Sequence, residues 1–456
     1  MAAKNMTDGN ITKHLLSFAF PMILGNLFQL TYNAVDSIIV GRFAGENALA
    51  SVGTANPVMN IVIFFIVGIC TGASVLLSEY YGSGNMEKFK KELSTSLTAG
   101  ILFSVLVTGI CILLSKPILI LLRTPGEILA DSVKYLQVIF SGLLFTFIYN
   151  IFAASLRSVG DTKTPLLFLM ISSILNGVLD LLFVGYLKMG VVAAAYTTVF
   201  AEAVSAICCV IYVWYKVPVL KLKMKEISMD RILLVKTIRF SWASAMQQTT
   251  LYVGKVLIQG AVNPLGVESI AAFNAVNRID DFAFTPEQSI GAAVTTFVAQ
   301  NRGADKKQRI LKGLRTGLLL ENIYGIVIGA IVLVSARPIM SLFLSAEESK
   351  SIALGVLYLT YIAFLYILPA NTNGIQGFFR GMGEMNITWQ STFVQMLFRV
   401  LLAYLLIPYL GFSGIAFACF GGWAAMLLFE VPKLVKRVKT MKSDVKCVIS
   451  EEEKNS

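Results

Sequence analysis

The chain has 456 residues, of which 56% are hydrophobic and only 14% charged, and its formal net charge is +11. A water-soluble protein of this length needs far more charge to cover its surface, so a soluble enzyme or binding module is excluded. The Lys and Arg residues sit mainly in loops between apolar runs, so the positive charge reads as membrane topology and no nucleic-acid partner is expected.

Apolar runs long enough to cross a hydrocarbon core of about 30 Å as helices recur along the whole chain. In lipid every backbone polar group must be satisfied internally, which makes an all-α polytopic bundle the expected fold. Twelve spans are expected. They lie near 15–40, 50–78, 93–114, 133–156, 165–184 and 190–214, then 238–262, 268–299, 313–335, 352–378, 386–408 and 412–432. Residues 1–13 are polar, and the first apolar run, from Leu15 to Val40, is too long for a signal-peptide core, so no cleaved leader is expected.

Basic residues concentrate on one side of the predicted spans, which places both termini in the cytoplasm of a multi-pass cell-membrane protein. A basic linker, 216–237, divides the chain near its middle and separates an N-lobe, 14–215, from a C-lobe, 238–435. A cytoplasmic N-terminal segment, 1–13, and a charged cytoplasmic tail, 436–456, complete the organisation. The run Lys433 to Lys446 suits contact with anionic lipid head groups. Cys70, Cys111, Cys208, Cys209 and Cys419 fall inside spans and Cys447 in the tail, and none has a metal-ligand or CxxC spacing. The single histidine, His14, opens the first span and is read as interfacial.

The two halves resemble each other at an offset of about 221. Gly45-Glu46-Asn47-Ala48-Leu49-Ala50 matches Gly266-Val267-Glu268-Ser269-Ile270-Ala271, and Asn56 falls on Asn277. Gly72-Ala73 and the Gly84 turn match Gly291-Ala292 and Gly303, and Leu156-Arg157-Ser158-Val159-Gly160-Asp161 matches Phe379-Arg380-Gly381-Met382-Gly383-Glu384. Six spans return the chain to its starting side, so the repeat is parallel. The expected architecture is two six-helix bundles related by a pseudo-two-fold axis along the membrane normal, an arrangement transporters use for alternating access.

Ionisable residues inside a bilayer cost roughly 2.5–3.5 kcal/mol each on insertion scales. The first half carries Asp36, Asp180 and Glu202 at depth with no Lys or Arg inside its six predicted spans. The second half carries Asp280, Asp281, Glu287 and Glu321 against Lys255, Arg278 and Arg399, and is expected to balance itself through ion pairs. The first set must instead be protonated, bind a cation or contact a cationic substrate. Asp36 and Asp180 each precede by five residues the glycine that ends an outward-running helix, Gly41 or Gly185, which places both about 7 Å below the outer end. Asn176 lies one turn from Asp180 and Tyr32 one turn from Asp36, while Thr197 and Thr198 lie on the neighbouring helix. Carboxylates, amide and hydroxyl make a hard oxygen site for H⁺ or Na⁺. Glu202 has no partner that its spacing fixes. Pro21, Asn26, Gln29 and Asn33 give the first helix a polar stripe and a hinge point.

The segments Pro21-Met22-Ile23-Leu24-Gly25-Asn26, Tyr32 to Gly41, Leu156 to Asp161, Asn176-Gly177-Val178-Leu179-Asp180 and Asn277-Arg278-Ile279-Asp280 resemble the multidrug and toxic compound extrusion (MATE) family, in its DinF-like bacterial branch. The resemblance covers about residues 8–435. It implies a secondary active antiporter that exports amphipathic drugs or metabolites against inward H⁺ or Na⁺, needs no further cofactor, catalyses no reaction and works as a monomer. It also implies a coupling-cation site at Asp36, Tyr32, Asn176, Asp180 and Thr198, with the backbone of Ala194, where Na⁺ would meet Asp36, Asp180, Asn176 and Thr198. A substrate cavity is assigned to Gln29, Asn33, Tyr149, Asn150, Glu202, Lys255, Asp280 and Arg399.

Departures from the family pattern are Lys255 in place of a neutral polar residue, Asn371 and Asn373 where another branch has a carboxylate, Glu202 in place of glutamine and Ala243 in place of proline. No cation site is therefore expected in the second half. A lipid-linked oligosaccharide flippase of the same superfamily is the alternative that Lys255, Arg278 and Arg399 keep open. An intramembrane aspartyl protease is set aside, because Val178-Leu179-Asp180 lacks the GxGD signature.

Overall fold

The structure is a computed structural model that describes residues 5–345 and 348–455, with the side chains of Glu46, Met224 and 446–455 left undescribed. Cys447 and the end of the basic tail run thus lie outside the described side chains. The described residues form fourteen α-helices, some short helical turns and no strand. In the first half α1 spans Ile11–Ala44, α2 Glu46–Gly82, α3 Met86–Leu121, α4 Gly126–Ser141, α5 Leu143–Ser158, α6 Lys163–Asp180 and α7 Val191–Lys216. In the second half α8 spans Arg231–Val262, α9 Val267–Gly303, α10 Lys307–Met340, α11 Ser349–Ala363, α12 Ile367–Gly381, α13 Met385–Leu410 and α14 Ser413–Asn455.

Eight of these helices are long and apolar enough to cross a membrane, and the bent pairs α4–α5 (43°) and α11–α12 (55°) bring the number to ten. The other two expected spans are α8 and α9, of 32 and 37 residues, which are long enough but diluted by polar residues, such as Gln247, Gln248, Thr249 and Thr250 in α8. In α9 alone Glu268, Arg278, Asp280, Asp281 and Glu287 interrupt the apolar run. The fourth and tenth expected spans are thus each two helices joined at a bend. Gly142 separates α4 from α5.

The repeat is visible in the backbone. Gly45 and Gly266 cap α2 and α9 with the same left-handed φ of 92°, and Gly160 and Gly383 turn after α5 and α12 with φ of 83° and 76°. Only glycine adopts this conformation without steric cost. The expected equivalence of Gly84 with Gly303 differs in detail. Gly84 is left-handed, whereas in the second half Asp305, two residues beyond Gly303, takes the positive φ.

The chain forms two compact units, Met1–Asn5 with Pro21–Thr249, and Met6–Phe20 with Thr250–Ser456. The sequence reading put α1 from residue 14 in the first lobe and α8 from residue 238 in the second, with 216–237 as the linker. Compactness instead divides α1 at Pro21 and α8 at Thr249. The start of α8 belongs to the first unit because Thr237 Oγ1 donates to Glu92 Oε1 (2.7 Å) and Ser241 Oγ to the Ile69 carbonyl (2.9 Å). The N-terminal segment belongs to the second. Met6 N donates to Gln300 Oε1 (2.8 Å), Asn301 Nδ2 donates to the Met6 carbonyl (3.3 Å), and Lys306 Nζ meets Asp8 Oδ1 (2.6 Å).

Each unit has its own apolar core. The first is built around Phe140, Phe147 and Ile151, the second around Tyr358, Tyr366 and Trp423.

Candidate functional site

Three elements of the first unit converge on Asp180. It is the last residue of α6, fully buried, and the helix continues after it as a π-helical turn, Leu181–Tyr186. Such a widened turn, often found at functional sites, changes the helical register immediately after the carboxyl. Thr197 of α7 meets Asp180 Oδ1 through its hydroxyl, and that same hydroxyl lies 2.8 Å from the Ala194 carbonyl. Asp36 of α1 places its carboxyl beside that of Asp180. Asn176 lies one turn below, is 2% exposed and stands beside the Asp180 carboxyl. One oxygen of each carboxyl, Asp36 Oδ1 and Asp180 Oδ2, is buried without a hydrogen-bond partner.

The arrangement is acid against acid with no base at hand. Among the described residues no Lys or Arg is an electrostatic neighbour of either carboxyl, and Arg157 in the last turn of α5 lies instead beside Tyr149, Cys70 and Cys209. Two buried carboxyls in contact cannot both stay ionised without a counter-charge. The site is chemically suited to a proton or another small cation. Its donors are carboxylate, amide, hydroxyl and the Ala194 carbonyl, all hard ligands. Among the described residues no group of three or more His, Cys, Asp or Glu gathers as a polyvalent metal would need.

The sequence-derived residues are thus brought together with one substitution. The hydroxyl on Asp180 comes from Thr197. Thr198, the residue the family resemblance pointed to, turns its hydroxyl back to the Ala194 carbonyl at 2.9 Å. Tyr32 stands beside Asp36, Asp180 and Glu202, and so does the buried Tyr135 of α4, which sequence reasoning missed. Tyr135 carries no local signal, because a tyrosine near a helix end is common at membrane interfaces. Glu202 has a partner after all: Thr146 Oγ1 of α5 donates to its Oε2 at 2.6 Å.

The residues assigned to a substrate cavity are shared between the two units. Gln29 and Asn33 are exposed on α1. Asn150 Nδ2 donates to the Thr146 carbonyl (2.8 Å) and Tyr149 to that of Pro165 (3.0 Å), both within the first unit. In the second unit Lys255 Nζ pairs with Asp281 Oδ1 at 3.0 Å, with both side chains about half exposed. Asp280 is buried and accepts from the hydroxyls of Tyr366 (2.8 Å) and Tyr358 (3.1 Å), with Arg399 nearby. Its carboxylate is held by these two hydroxyls inside its own helix bundle.

The MatE family profile matches residues 21–182 and 243–405, once in each half. The chain belongs to the MatE family. The "Probable multidrug resistance protein YoeA" of Bacillus subtilis strain 168 is 29% identical over 392 residues, covering 84% of each chain. The "Probable multidrug resistance protein NorM" of Thermotoga maritima is 25% identical and covers 96% of each. A solved crystal structure of MATE in complex with MaL6 matches with a TM-score of 0.90 at 21% identity, covering 97% of this chain and 100% of its own. Asp36 and Asp180 both lie in the first matched segment, and Asp280 and Asp281 in the second.

Proposed function

We propose that the chain is a secondary active antiporter that exports amphipathic small molecules from the cytoplasm, driven by inward H⁺ or Na⁺ bound at Asp36 and Asp180. Its relatives named as multidrug resistance proteins support the export reading. The observation that carries the coupling reading is the adjacency of the two carboxyls with no base beside them. Neutralisation of the pair by an incoming cation removes a like-charge repulsion between α1 and α6. Repacking of α1 then expels the substrate, and substrate binding from the cytoplasm resets the cycle. The protein sits in the cell membrane with both termini in the cytoplasm.

The flippase reading needs basic side chains free to hold a pyrophosphate. Lys255 is instead paired with Asp281, and Arg399 neighbours Asp280. This favours the antiporter.

The test is efflux of a fluorescent amphipathic cation such as ethidium from proteoliposomes, with a pH gradient or a Na⁺ gradient imposed separately. One gradient is expected to drive efflux. Asp36→Asn and Asp180→Asn are each expected to bring gradient-driven efflux down to the level of protein-free liposomes while the protein remains monodisperse. Efflux unchanged in both variants would sink the proposal.

A further inference from the structure

The second unit holds a pair of acids that the coupling mechanism does not use. Glu287 of α9 and Glu321 of α10 are both 0% exposed; Glu287 has the Asn373 amide within reach, and neither carboxyl oxygen of Glu321 has a hydrogen-bond partner. The two side chains are electrostatic neighbours. They converge on one spot of α12. Asn373 stands beside Glu287, and the adjoining Gly374 faces Glu321, where a Cβ would lie 3.4 Å from the glutamate's Cγ.

The three helices are fastened around this spot. Tyr324 of α10 donates to the Ala283 carbonyl of α9 (2.9 Å), and Asn371 Nδ2 of α12 donates to Asn322 Oδ1 of α10 (2.8 Å). Pro286 interrupts the α9 hydrogen-bond ladder immediately before Glu287. The charged and titratable groups facing the pair are Asp280 and Tyr366 beside Glu287, Tyr324 beside both, and Arg380 beside Glu321. Arg380 is itself shared with the buried Glu430 of α14. One guanidinium is therefore shared by two buried acids, Glu321 and Glu430, and Glu287 has none. Lys255 is occupied by Asp281, and Arg399 is a neighbour of Asp280.

We propose that Glu287 and Glu321 form a second proton-binding site, held by α9, α10 and α12 and independent of Asp36 and Asp180. Two neighbouring buried carboxylates that face one amide and one guanidinium shared with another acid are strongly disfavoured together, and the pair takes up a proton instead. The pair keeps at least one proton while these helices are packed. Loss of all its protons would set two unscreened negative charges between α9 and α10.

The test uses infrared spectroscopy of the purified protein at neutral pH, reading the C=O stretch of protonated carboxyl groups. Asp36→Asn/Asp180→Asn protein serves as the background, so failure of the coupling proposal does not affect the reading. Adding Glu287→Gln with Glu321→Gln is expected to remove protonated-carboxyl absorption, whereas Glu430→Gln leaves that part of the signal in place. Each single variant is measured too, in case the double variant does not fold; at least one is expected to lose intensity. An unchanged band in all of them overturns the proposal. So does a band that disappears from the Asp36→Asn/Asp180→Asn background on adding Na⁺ at constant pH, which would make this a sodium site.

Discussion

Thr197 has one hydroxyl proton and two oxygen neighbours, Asp180 Oδ1 and the Ala194 carbonyl. When Asp180 is ionised the proton points to the carboxylate. When Asp180 is protonated, it can donate to Thr197, which then donates to Ala194. The hydroxyl thus reports the charge on Asp180, and Thr198 keeps the Ala194 carbonyl satisfied in either state. Thr197→Val removes a donor from the ionised form, a loss of about 1.5–3 kcal/mol for a hydrogen bond to a charged group. The pH profile of proton-driven efflux is expected to move to alkaline pH by about 1–2 units, while Thr198→Val leaves it in place; equal shifts in both variants would contradict this. Asp36, Tyr32, Asn176 and Asp180 were legible in the sequence because the cost of intramembrane charge singles out acids without bases. The choice between Thr197 and Thr198 was not. Adjacent residues on a helix point about 100° apart, and the π-helical turn after Asp180 alters the register that spacing assumes. Counting acids and bases by half also hid Glu287 and Glu321, since a base balances an acid only when the two touch.

At the scale of helices, the first unit is closed by a glycine seam. A Cβ on Gly72 of α2 would come within 2.5 Å of Ser241 Cα and N on α8, and one on Gly68 within 2.5 Å of Ala245 Cα. These obstacles are backbone, which cannot swing aside as a side chain can. The seam brings two helices into direct backbone contact, as small residues do in membrane bundles. Gly72→Val is expected to lower stability by about 3 kcal/mol, the upper end of the overpacking range, read as a lower midpoint of thermal unfolding in detergent. Gly109→Ala in α3 is the control, because nothing lies within 4 Å of its would-be Cβ. That variant should hold or raise the midpoint. Spans and turns were legible from hydropathy and from the paired glycines. The bends at Gly142 and between Ala363 and Ile367 were not, because both halves of each bent pair are apolar and read as one continuous run.

Across the whole molecule, the chain does not divide where its basic linker does. Residues Met6–Phe20 belong with the second unit, and α1 passes into the first at Pro21. Hydropathy cannot reveal this, since a helix of uniform polarity gives no sign of which bundle each end packs against. The tie is polar and lies outside the spans. Arg309 Nη2 donates to the carbonyls of Met6 (3.1 Å) and Asp8 (2.9 Å), and Lys306 holds the Asp8 carboxylate. The hydrogen bond and charge of Lys306 keep the Asp8 carboxyl below its ordinary range. A group depressed in the folded state contributes stability above its unfolded pKa, about 3.9 for Asp, and loses it as the pH falls through the folded value. At neutral pH, Asp8→Asn is therefore expected to speed amide hydrogen exchange over residues 6–14, while exchange in α9 and α10 stays unchanged. The difference between variant and parent should shrink as the pH is lowered below about 4, and it should shrink at high salt because the pair is exposed. A difference that grows on acidification would show that the segment is anchored by its backbone bonds to Gln300 and Asn301 without help from the Asp8 charge.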